Sequence, residues 1–293
     1  MSQMFQGSMV ALVTPFKNGK VDESALRHLV DWHVKEGTNV LVPCGTTGES
    51  ATLTMEEHIR VIEIVVEQAA GRVAVLAGAG ANATHEAIDL TSASQKAGAD
   101  GTLQVTPYYN KPTQEGLYRH FKAVAESADL PVVLYNVPGR TAVNMLPETV
   151  ARLAEIKNIV GIKEAAGNLE QVEKIIRLCP KNFSVISGED ALNHDIKIRG
   201  GVGTISVTAN IVPRQSAEQW RCYYSGNVKK GGGIHEKLMS LHRVMFLETN
   251  PIPVKAALYL MGKIEEEYRL PLTPISQANR EKLKQALQSY GLL

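Results

Sequence analysis

The chain has 293 residues, of which 44% are hydrophobic and 21% are charged, as in globular proteins with a sizeable core. Its 31 basic and 30 acidic side chains leave a net charge of +1 with no basic block, which argues against nucleic acid or an anionic membrane as a partner. No apolar run is long enough to span a bilayer and residues 1–8 lack a signal-peptide pattern, so we expect a cytoplasmic protein.

Strands and helices alternate along most of the chain. Apolar, β-branched runs predict strands at Met9–Thr14, Asn39–Cys44, Val73–Gly78, Thr102–Thr106, Val132–Asn136, Ile159–Glu164, Phe183–Ser187 and Gly203–Val207. Helical spacing predicts helices at Ser24–Glu36, Met55–Ala69 behind a Thr54 cap, His85–Ala97, Glu115–Ser127, from Pro147 onward, Leu169–Leu178, Ala191–Arg199 and Arg214–Ser225.

Eight strand–helix units of roughly 25–30 residues have the spacing of right-handed parallel crossovers. They predict a closed (β/α)8 TIM barrel over residues 1–226 rather than an open doubly wound sheet. Residues 227–293 show only helical spacing, at Glu236–Leu247, Pro253–Met261 and Gln277–Ser289. We expect a C-terminal helical extension packed on the barrel, after a solvated turn at Lys229–Gly233.

Cysteine and histidine usage gives little sign of a disulfide framework or a metal site. Cys44, Cys179 and Cys222 are odd in number and form no C-x-x-C pair, which favours reduced thiols. The eight histidines show no H-E-x-x-H spacing, so we expect no metal.

Lys163 ends the predicted strand Ile159–Glu164. Alternation would place Ile159, Gly161 and Lys163 on one face, with Gly161 leaving room for the amine to lie inward. An ammonium group among apolar side chains is poorly solvated, its pKa falls, and the free amine becomes a nucleophile that forms Schiff bases. The segment alone favours the alternative, in which Lys163 reaches outward to water or pairs with Glu164.

In such barrels, catalytic residues come from the C-terminal ends of the strands. Besides Lys163, the strand ends here supply Cys44-Gly45-Thr46-Thr47-Gly48-Glu49-Ser50, Thr106-Pro107-Tyr108-Tyr109-Asn110, Tyr135-Asn136-Val137-Pro138-Gly139-Arg140-Thr141, Ser187-Gly188-Glu189 and Ile205-Ser206. Singly, most of these residues have a structural interpretation, as helix caps, rim aromatics, a surface charge or, for Cys44, a small buried side chain. Jointly, an amine, phenols, hydroxyls and a guanidinium at the ends of these strands predict one site.

These segments resemble the dihydrodipicolinate synthase (4-hydroxy-tetrahydrodipicolinate synthase) family, within the class I pyruvate aldolase superfamily that includes N-acetylneuraminate lyase. The resemblance covers nearly the whole chain, including Asn250–Lys255 and the ending Tyr290–Leu293. The G-x-T-G-E and lysine segments recur across the superfamily, whereas Tyr135–Thr141 points to the synthase family in particular.

The resemblance implies a Schiff-base lyase of lysine and diaminopimelate biosynthesis. It would condense pyruvate with L-aspartate 4-semialdehyde and cyclise the product, without a separate cofactor because the lysine imine is the electron sink. The implied catalytic residues are Lys163 as nucleophile, Tyr135 as general acid and base, and Thr46 with Tyr109 as proton relay.

The resemblance also implies binding residues and an assembly. Thr47 and the main chain at Ile205 would hold the pyruvate carboxylate, Arg140 would bind the carboxylate of the aldehyde, and Gly188 would complete the substrate site. Tyr109 would reach in from a neighbouring subunit of a homotetramer built as a dimer of dimers.

An inhibitory L-lysine site at the dimer interface is implied as well. The matching residues are Ser50, Ala51, His58, Asn82, Glu86 and Tyr108. Met55 departs from the pattern, because some lysine-sensitive relatives carry histidine there.

Three other functions compete with this interpretation. Another pyruvate-dependent lyase, such as N-acetylneuraminate lyase, would share Lys163, Tyr135 and Thr46-Thr47 but has no need of Arg140. A phosphate-binding barrel isomerase would use Gly200–Gly203. A catalytically silent barrel would tolerate Lys163→Ala.

Overall fold

A closed barrel of eight parallel strands organises the computed structural model, which describes residues 4–293. The strands of these residues are β1 (Gly7–Ala11), β2 (Phe16–Lys17), β3 (Lys20–Val21), β4 (Val40–Val42), β5 (Ala74–Gly78), β6 (Gly101–Val105), β7 (Val132–Asn136), β8 (Ile159–Glu164), β9 (Ser184–Ser187) and β10 (Gly203–Ser206). The barrel order is β1, β10, β9, β8, β7, β6, β5, β4, closing on β1, while β2 and β3 form a separate antiparallel hairpin. The predicted TIM barrel is confirmed, and the hairpin was not predicted.

Helices surround the barrel and continue beyond it. They are α1 (Glu23–Glu36), α2 (Met55–Ala69), α3 (Thr84–Ala97), α4 (Gln114–Glu126), α5 (Pro138–Thr141), α6 (Pro147–Leu153), α7 (Leu169–Leu178), α8 (Asn193–Ile198), α9 (Pro213–Tyr224), α10 (Val228–Val244), α11 (Ile252–Leu260) and α12 (Gln277–Tyr290). The predicted start of α2 is confirmed: Thr54 and Glu57 form a capping box in which each side chain accepts from the other's backbone N–H. The one-turn helix α5, which carries Arg140, was not predicted.

The predicted turn at Lys229–Gly233 is wrong, because these residues lie inside α10. Asn227 caps the helix by accepting from Lys230 N. A Cβ atom at Gly231 would lie 2.2 Å from the Tyr223 ring, and one at Gly232 would lie 3.0 Å from His194. The glycines therefore allow α10 to pack closely on α9 and α8, and this packing outweighs their low helix propensity.

The predicted alternation along β8 is wrong at its first two residues, Ile159 and Val160. The register against β7 shifts between Val132, which pairs with Ile159, and Val133, which pairs with Gly161, so Val160 is an extra residue in a bulge. Ile159 consequently packs with Ile162 in the layer between strands and helices, while Val160 packs against the barrel interior. Only beyond the bulge does Lys163 alternate with its neighbours as expected.

The core has an inner layer inside the barrel and an outer layer between strands and helices. The outer layer includes Leu241 of α10, Val254 of α11 and Leu283 of α12 in one cluster with residues of α1 and α2. This continuity agrees with an extension packed on the barrel, although the boundary at residues 226 and 227 stays a prediction. Within residues 4–293, none of the helices combines the length and hydrophobicity needed to cross a membrane.

Candidate active site

Lys163 and Tyr135 face each other at the C-terminal ends of neighbouring strands. They are register partners of β8 and β7, and both belong to the buried part of the barrel interior, 6% and 7% exposed. The Lys163 Nζ atom lies 4.2 Å from the centroid of the Tyr135 ring. The strand register alone therefore brings an amine and a phenol together inside the barrel.

The space for the Lys163 side chain comes from a different glycine than predicted. A Cβ atom at Gly161 would lie 2.6 Å from Ser184 O, so that glycine allows the close approach of β9. A Cβ atom at Gly188, after β9, would lie 3.1 Å from the Lys163 Cε atom. Gly188 is therefore the residue that leaves room for the lysine.

The alternative pairing of Lys163 with Glu164 does not occur. The Glu164 carboxylate turns to the opposite face, where it accepts from Asn136 Nδ2 and Ala166 N. In the part of the chain that the structure describes, no carboxylate forms an ion pair with Lys163. The amine is thus buried without a counter-charge.

A cavity of about 320 Å³ opens above these two residues. Its lining includes seven residues predicted from the sequence, namely Thr46, Thr47, Tyr135, Arg140, Lys163, Gly188 and Ile205. Glu189, Asp190, His242, Phe246 and Asn250 also line it and had been given no role. The predicted strand-end residues thus converge on one site of the size of a small-molecule pocket.

Thr46 and Thr47 lie in the loop after β4, and the backbone of this loop is constrained. Cys44 and Glu49 flank it with φ values of +55° and +54°, in the left-handed region. Gly48 lies so close to neighbouring backbone that a Cβ atom there would be 3.0 Å from both Cys44 N and Leu12 O. This backbone geometry places Thr46 and Thr47 in the cavity wall. Cys44 itself is a small buried side chain, as predicted, and burial raises the pKa of its thiol.

Asn250, from the C-terminal extension, contacts two of the four predicted substrate-binding residues, Thr47 and Arg140. Its Nδ2 atom donates to Thr47 Oγ1 at 3.0 Å, and its backbone oxygen accepts from Arg140 Nη2 at 3.1 Å. Sequence reasoning noted the Asn250–Lys255 stretch without giving it a role in the site. The contact with Thr47 spans 203 residues of sequence, so no local pattern indicates it.

A buried ion pair anchors the same loop from the extension. Lys255 of α11 donates to Glu49, and both side chains are inaccessible to solvent. The backbone N–H of Arg269 is 3.5 Å from the second carboxylate oxygen of Glu49. Glu49 thus ties the Thr46-Thr47 loop to α11 and the segment after it.

Tyr109 lies outside this cavity within the single chain. It is 90% exposed and has a φ of +73°, next to the exposed Tyr108. The predicted relay from Tyr135 through Thr46 to Tyr109 therefore stays a prediction that requires a second subunit.

A second cavity, of about 450 Å³, adjoins the first. Its lining includes Ser50, Ala51, His58, Glu86 and Tyr108 from the predicted lysine site, and Met55 as well. Asn82 does not line it, but its backbone oxygen accepts from Asn110 nearby. Burial and the charge of Glu86 raise the pKa of Tyr108.

The glycines behind the phosphate-site alternative allow close packing, of Gly203 against β1 and of Gly201 against α8. A Cβ atom at Gly203 would lie 2.8 Å from Gly7 N of β1, and one at Gly201 would lie 2.5 Å from Ile196. Gly201 precedes β10 and Gly203 begins it, so both lie at the end of the barrel opposite Lys163. The arrangement offers no support for a phosphate site beside the lysine.

Comparison with known proteins agrees with this geometry. The model of the Dihydrodipicolinate synthetase family matches residues 4–290. A 4-hydroxy-tetrahydrodipicolinate synthase from Thermodesulfovibrio yellowstonii is 57% identical over 290 residues, which cover 99% of this chain and 100% of the relative.

Two solved structures extend the comparison to the fold. The dihydrodipicolinate synthase of Aquifex aeolicus is 49% identical with a TM-score of 0.97, covering 98% of this chain and 99% of that one. A structure of the enzyme from Cyanidioschyzon merolae with lysine bound is 44% identical with a TM-score of 0.97, covering all of both chains.

Proposed function

The chain belongs to the dihydrodipicolinate synthetase family, and on this premise we propose how its residues carry out the reaction. Its activity is that of a 4-hydroxy-tetrahydrodipicolinate synthase, a lyase of lysine biosynthesis. The substrates that we propose are pyruvate and L-aspartate 4-semialdehyde. The observation that carries the assignment of residues is the unpaired, buried amine of Lys163 beside the Tyr135 phenol, 4.2 Å from the ring centroid.

Imine formation is the first step. The Lys163 amine attacks the keto carbon of pyruvate, and the resulting carbinolamine loses water to give a protonated imine. Tyr135 supplies the proton for the departing hydroxyl and takes one from the amine, a role that its place against Lys163 supports. The imine nitrogen then withdraws electrons and acidifies the pyruvate methyl group.

Carbon–carbon bond formation and ring closure follow. Loss of a methyl proton gives an enamine, which adds to the aldehyde carbon of the second substrate. The amine of that substrate then attacks the imine carbon, closes the ring and releases Lys163. One water molecule, the one lost in imine formation, leaves over the whole reaction.

The wall of the cavity beside Lys163 holds the proposed binding groups. We assign the pyruvate carboxylate to Thr47 and the main chain at Ile205, both in the cavity wall. Arg140 binds the carboxylate of the aldehyde with its planar guanidinium, and Asn250 O orients that group from one side. Gly188 keeps the lysine side chain free to turn toward substrate.

Borohydride trapping tests the nucleophile, with Lys255 as an internal control. The protein is incubated with pyruvate, reduced, digested and examined by mass spectrometry. A pyruvyl adduct on Lys163 and none on the buried, paired Lys255 supports the assignment. An adduct that is absent or spread over surface lysines refutes it. Turnover with L-aspartate 4-semialdehyde but not with N-acetylneuraminate then excludes the alternative lyase.

We further propose that the second cavity binds L-lysine as an inhibitor. The support is the set of polar groups in its wall, with Glu86 as partner for an ammonium group, and the lysine-bound state of a full-length relative. Thr46, Arg140 and Asn250 line both cavities, so a ligand in the second can influence the first. Inhibition by millimolar lysine that is weakened in Glu86→Gln supports this site, and uninhibited wild-type turnover refutes it.

We also propose a homotetramer, a dimer of dimers in which Tyr109 enters the partner's site. Its 90% exposure and left-handed backbone suit a residue presented to another subunit. Mixing two inactive variants, Lys163→Ala and Tyr109→Phe, restores turnover if each subunit contributes one residue to a shared site. Light scattering measures the assembly, and failure of complementation in mixed oligomers refutes the shared site.

A further inference from the structure

The register that places Tyr135 beside Lys163 also places Asn136 beside Glu164. Because side chains alternate along a strand, the first pair points into the cavity and the second pair points toward the helices. Asn136 is completely buried and Glu164 is 2% exposed. Each residue of the outward pair is therefore one peptide bond away from a residue of the proposed catalytic pair.

Asn136 and Glu164 are linked by hydrogen bonds across the two strands. Asn136 Nδ2 donates to both Glu164 oxygens at 3.1 Å and to Asn144 Oδ1 at 2.8 Å. Asn136 Oδ1 accepts from Met145 N at 2.9 Å, and Glu164 Oε1 accepts from Ala166 N at 2.8 Å. These bonds fix the ends of β7 and β8 to each other and to the segments that follow them.

Gln171 of α7 closes the network. It donates to Glu164 Oε2 and to Asn144 Oδ1, each at 3.1 Å, and accepts from Asn144 Nδ2 at 2.9 Å. Every polar atom of the four side chains has a partner, and no cation of residues 4–293 forms an ion pair with Glu164. A buried carboxylate is costly without a cation, so a purely structural link could be made more cheaply by apolar side chains.

Resting on the proposed function, we propose that Asn136 and Glu164 are positioning residues of the reaction. Their network fixes the twist of β7 and β8 so that the Tyr135 phenol stays against the Lys163 amine. A small rotation of either strand end would move a reacting group by about 1 Å, a displacement that can cost about a hundredfold in rate. A carboxylate suits this position because both of its oxygens accept hydrogen bonds from Asn136 while a backbone N–H and Gln171 occupy the remaining directions.

Glu164→Gln tests the network with almost no change in shape. The new amide group faces the donors of Asn136 and Gln171, which leaves donors opposed to donors. We expect kcat, and the rate of borohydride-trapped adduct formation on Lys163, to fall at least about tenfold, with KM for pyruvate changed by less than about threefold.

The double variant Asn136→Asp with Glu164→Gln tests whether the hydrogen bonds themselves matter. The carboxylate then lies at position 136 and the amide at position 164, so the network keeps one negative charge. If the side-chain amides of Asn144 and Gln171 both flip, every donor again meets an acceptor. We expect this double variant to recover most of the trapping rate that Glu164→Gln loses.

Thr91→Val is the matched control, because it breaks another buried link between strand and helix. Thr91 Oγ1 of α3 accepts from Gln104 Nε2 of β6 at 2.9 Å, a hydrogen bond that involves neither Tyr135 nor Lys163. We expect this variant to lose thermal stability and keep kcat within about twofold of wild type.

The outcomes distinguish the positioning role of Glu164 from the proposed function of the site. A Glu164→Gln variant that loses stability but traps pyruvate at the wild-type rate overturns the positioning role. If Glu164→Gln does not fold, Gln171→Leu removes one hydrogen bond from Glu164, and an unchanged trapping rate in that variant overturns the role equally. Failure of the proposed function is distinct, because wild-type protein would then form no adduct on Lys163.

Discussion

Two buried lysines, Lys163 and Lys255, lie in contrasting surroundings. Lys255 is inaccessible to solvent, forms an ion pair with Glu49 and lies 4.3 Å from the centroid of the Phe16 ring. Lys163 is 6% exposed, borders the cavity and contacts a phenol instead of a carboxylate. Burial is common to both, so burial alone does not distinguish a reactive lysine from a structural one.

The carboxylate beside each lysine makes the difference. Glu49 points at Lys255, and its charge opposes the lowering of the Lys255 pKa that burial causes. Glu164 follows Lys163 directly in sequence but points to the other face of the barrel wall. The amine of Lys163 is therefore left for substrate, whereas that of Lys255 holds the extension to the Thr46-Thr47 loop.

Removing Lys163 should have the largest effect on activity and little effect on stability. In Lys163→Met, turnover and trapped adduct should fall at least about a thousandfold, because the nucleophile is lost. The free energy of unfolding should change by less than about 1 kcal/mol, since no partner charge is left unpaired. Urea unfolding and turnover assays measure the two effects, and Lys163→Arg should be equally inactive. A severe loss of stability in Lys163→Met would contradict the view that Lys163, unlike Lys255, has no structural partner.

Removing Lys255 should have a large effect on stability. Lys255→Met leaves the Glu49 carboxylate buried without its cation and should destabilise the protein by about 3–5 kcal/mol in urea unfolding. The double variant Lys255→Met with Glu49→Gln removes both charges and should recover much of that loss. A single variant as stable as wild type would show that the pair contributes little.

The Glu164 carboxylate should make stability depend on pH. Burial raises the pKa of Glu164 to about 7 from its usual 4.5, and the hydrogen bonds from Asn136 and Gln171 only partly offset this. Folding thus favours the protonated form. The stability of wild type relative to Glu164→Gln should be greatest below about pH 4.5 and fall as pH rises to about 7, by up to about 3 kcal/mol. Urea unfolding of both proteins across this range measures it. A constant difference would contradict the raised pKa.

Among the changes at Lys163, Lys255, Glu164 and Gly188, we expect Gly188→Ala to disturb the protein least. The added Cβ atom would lie 2.6 Å from Ala165 Cβ and 3.1 Å from Lys163 Cε, so the strand end must shift. We expect a loss of about 1–3 kcal/mol in stability, and slower imine trapping at Lys163. Gly139→Ala, at a position with open space, is the matched control and should change neither quantity.

Much of the fold could be predicted because its signals are local. The β-branched runs that became β7 and β8, and the capping box that starts α2, are each contained within a few neighbouring residues. The start of α10 could not be predicted, because three consecutive glycines argue against a helix until the close packing on Tyr223 is known. The bulge at Val160 likewise depends on the register with β7.

The residues of the site also fall into those that local sequence predicted and those that depend on contacts between distant segments. The rule that barrel strands carry catalysis at their C-terminal ends was enough to collect Thr46, Tyr135 and Lys163. Asn250 was missed as a contact of Thr47, and Glu49 as the partner of Lys255, because both contacts join residues more than 200 positions apart. Neither local sequence nor the fold of a single chain decides the role of the exposed Tyr109, since that proposed role depends on a second subunit.

The sequence by itself determined the order of the strands and helices, the barrel and the lysine at the end of β8, since periodicity, capping and strand-end position are properties of short segments. Only the tertiary structure decided which buried lysine has a counter-charge, which glycine makes room for Lys163, and toward which side Glu164 points. Those outcomes depend on strand register and on contacts between distant segments, and burial makes each of them energetically decisive.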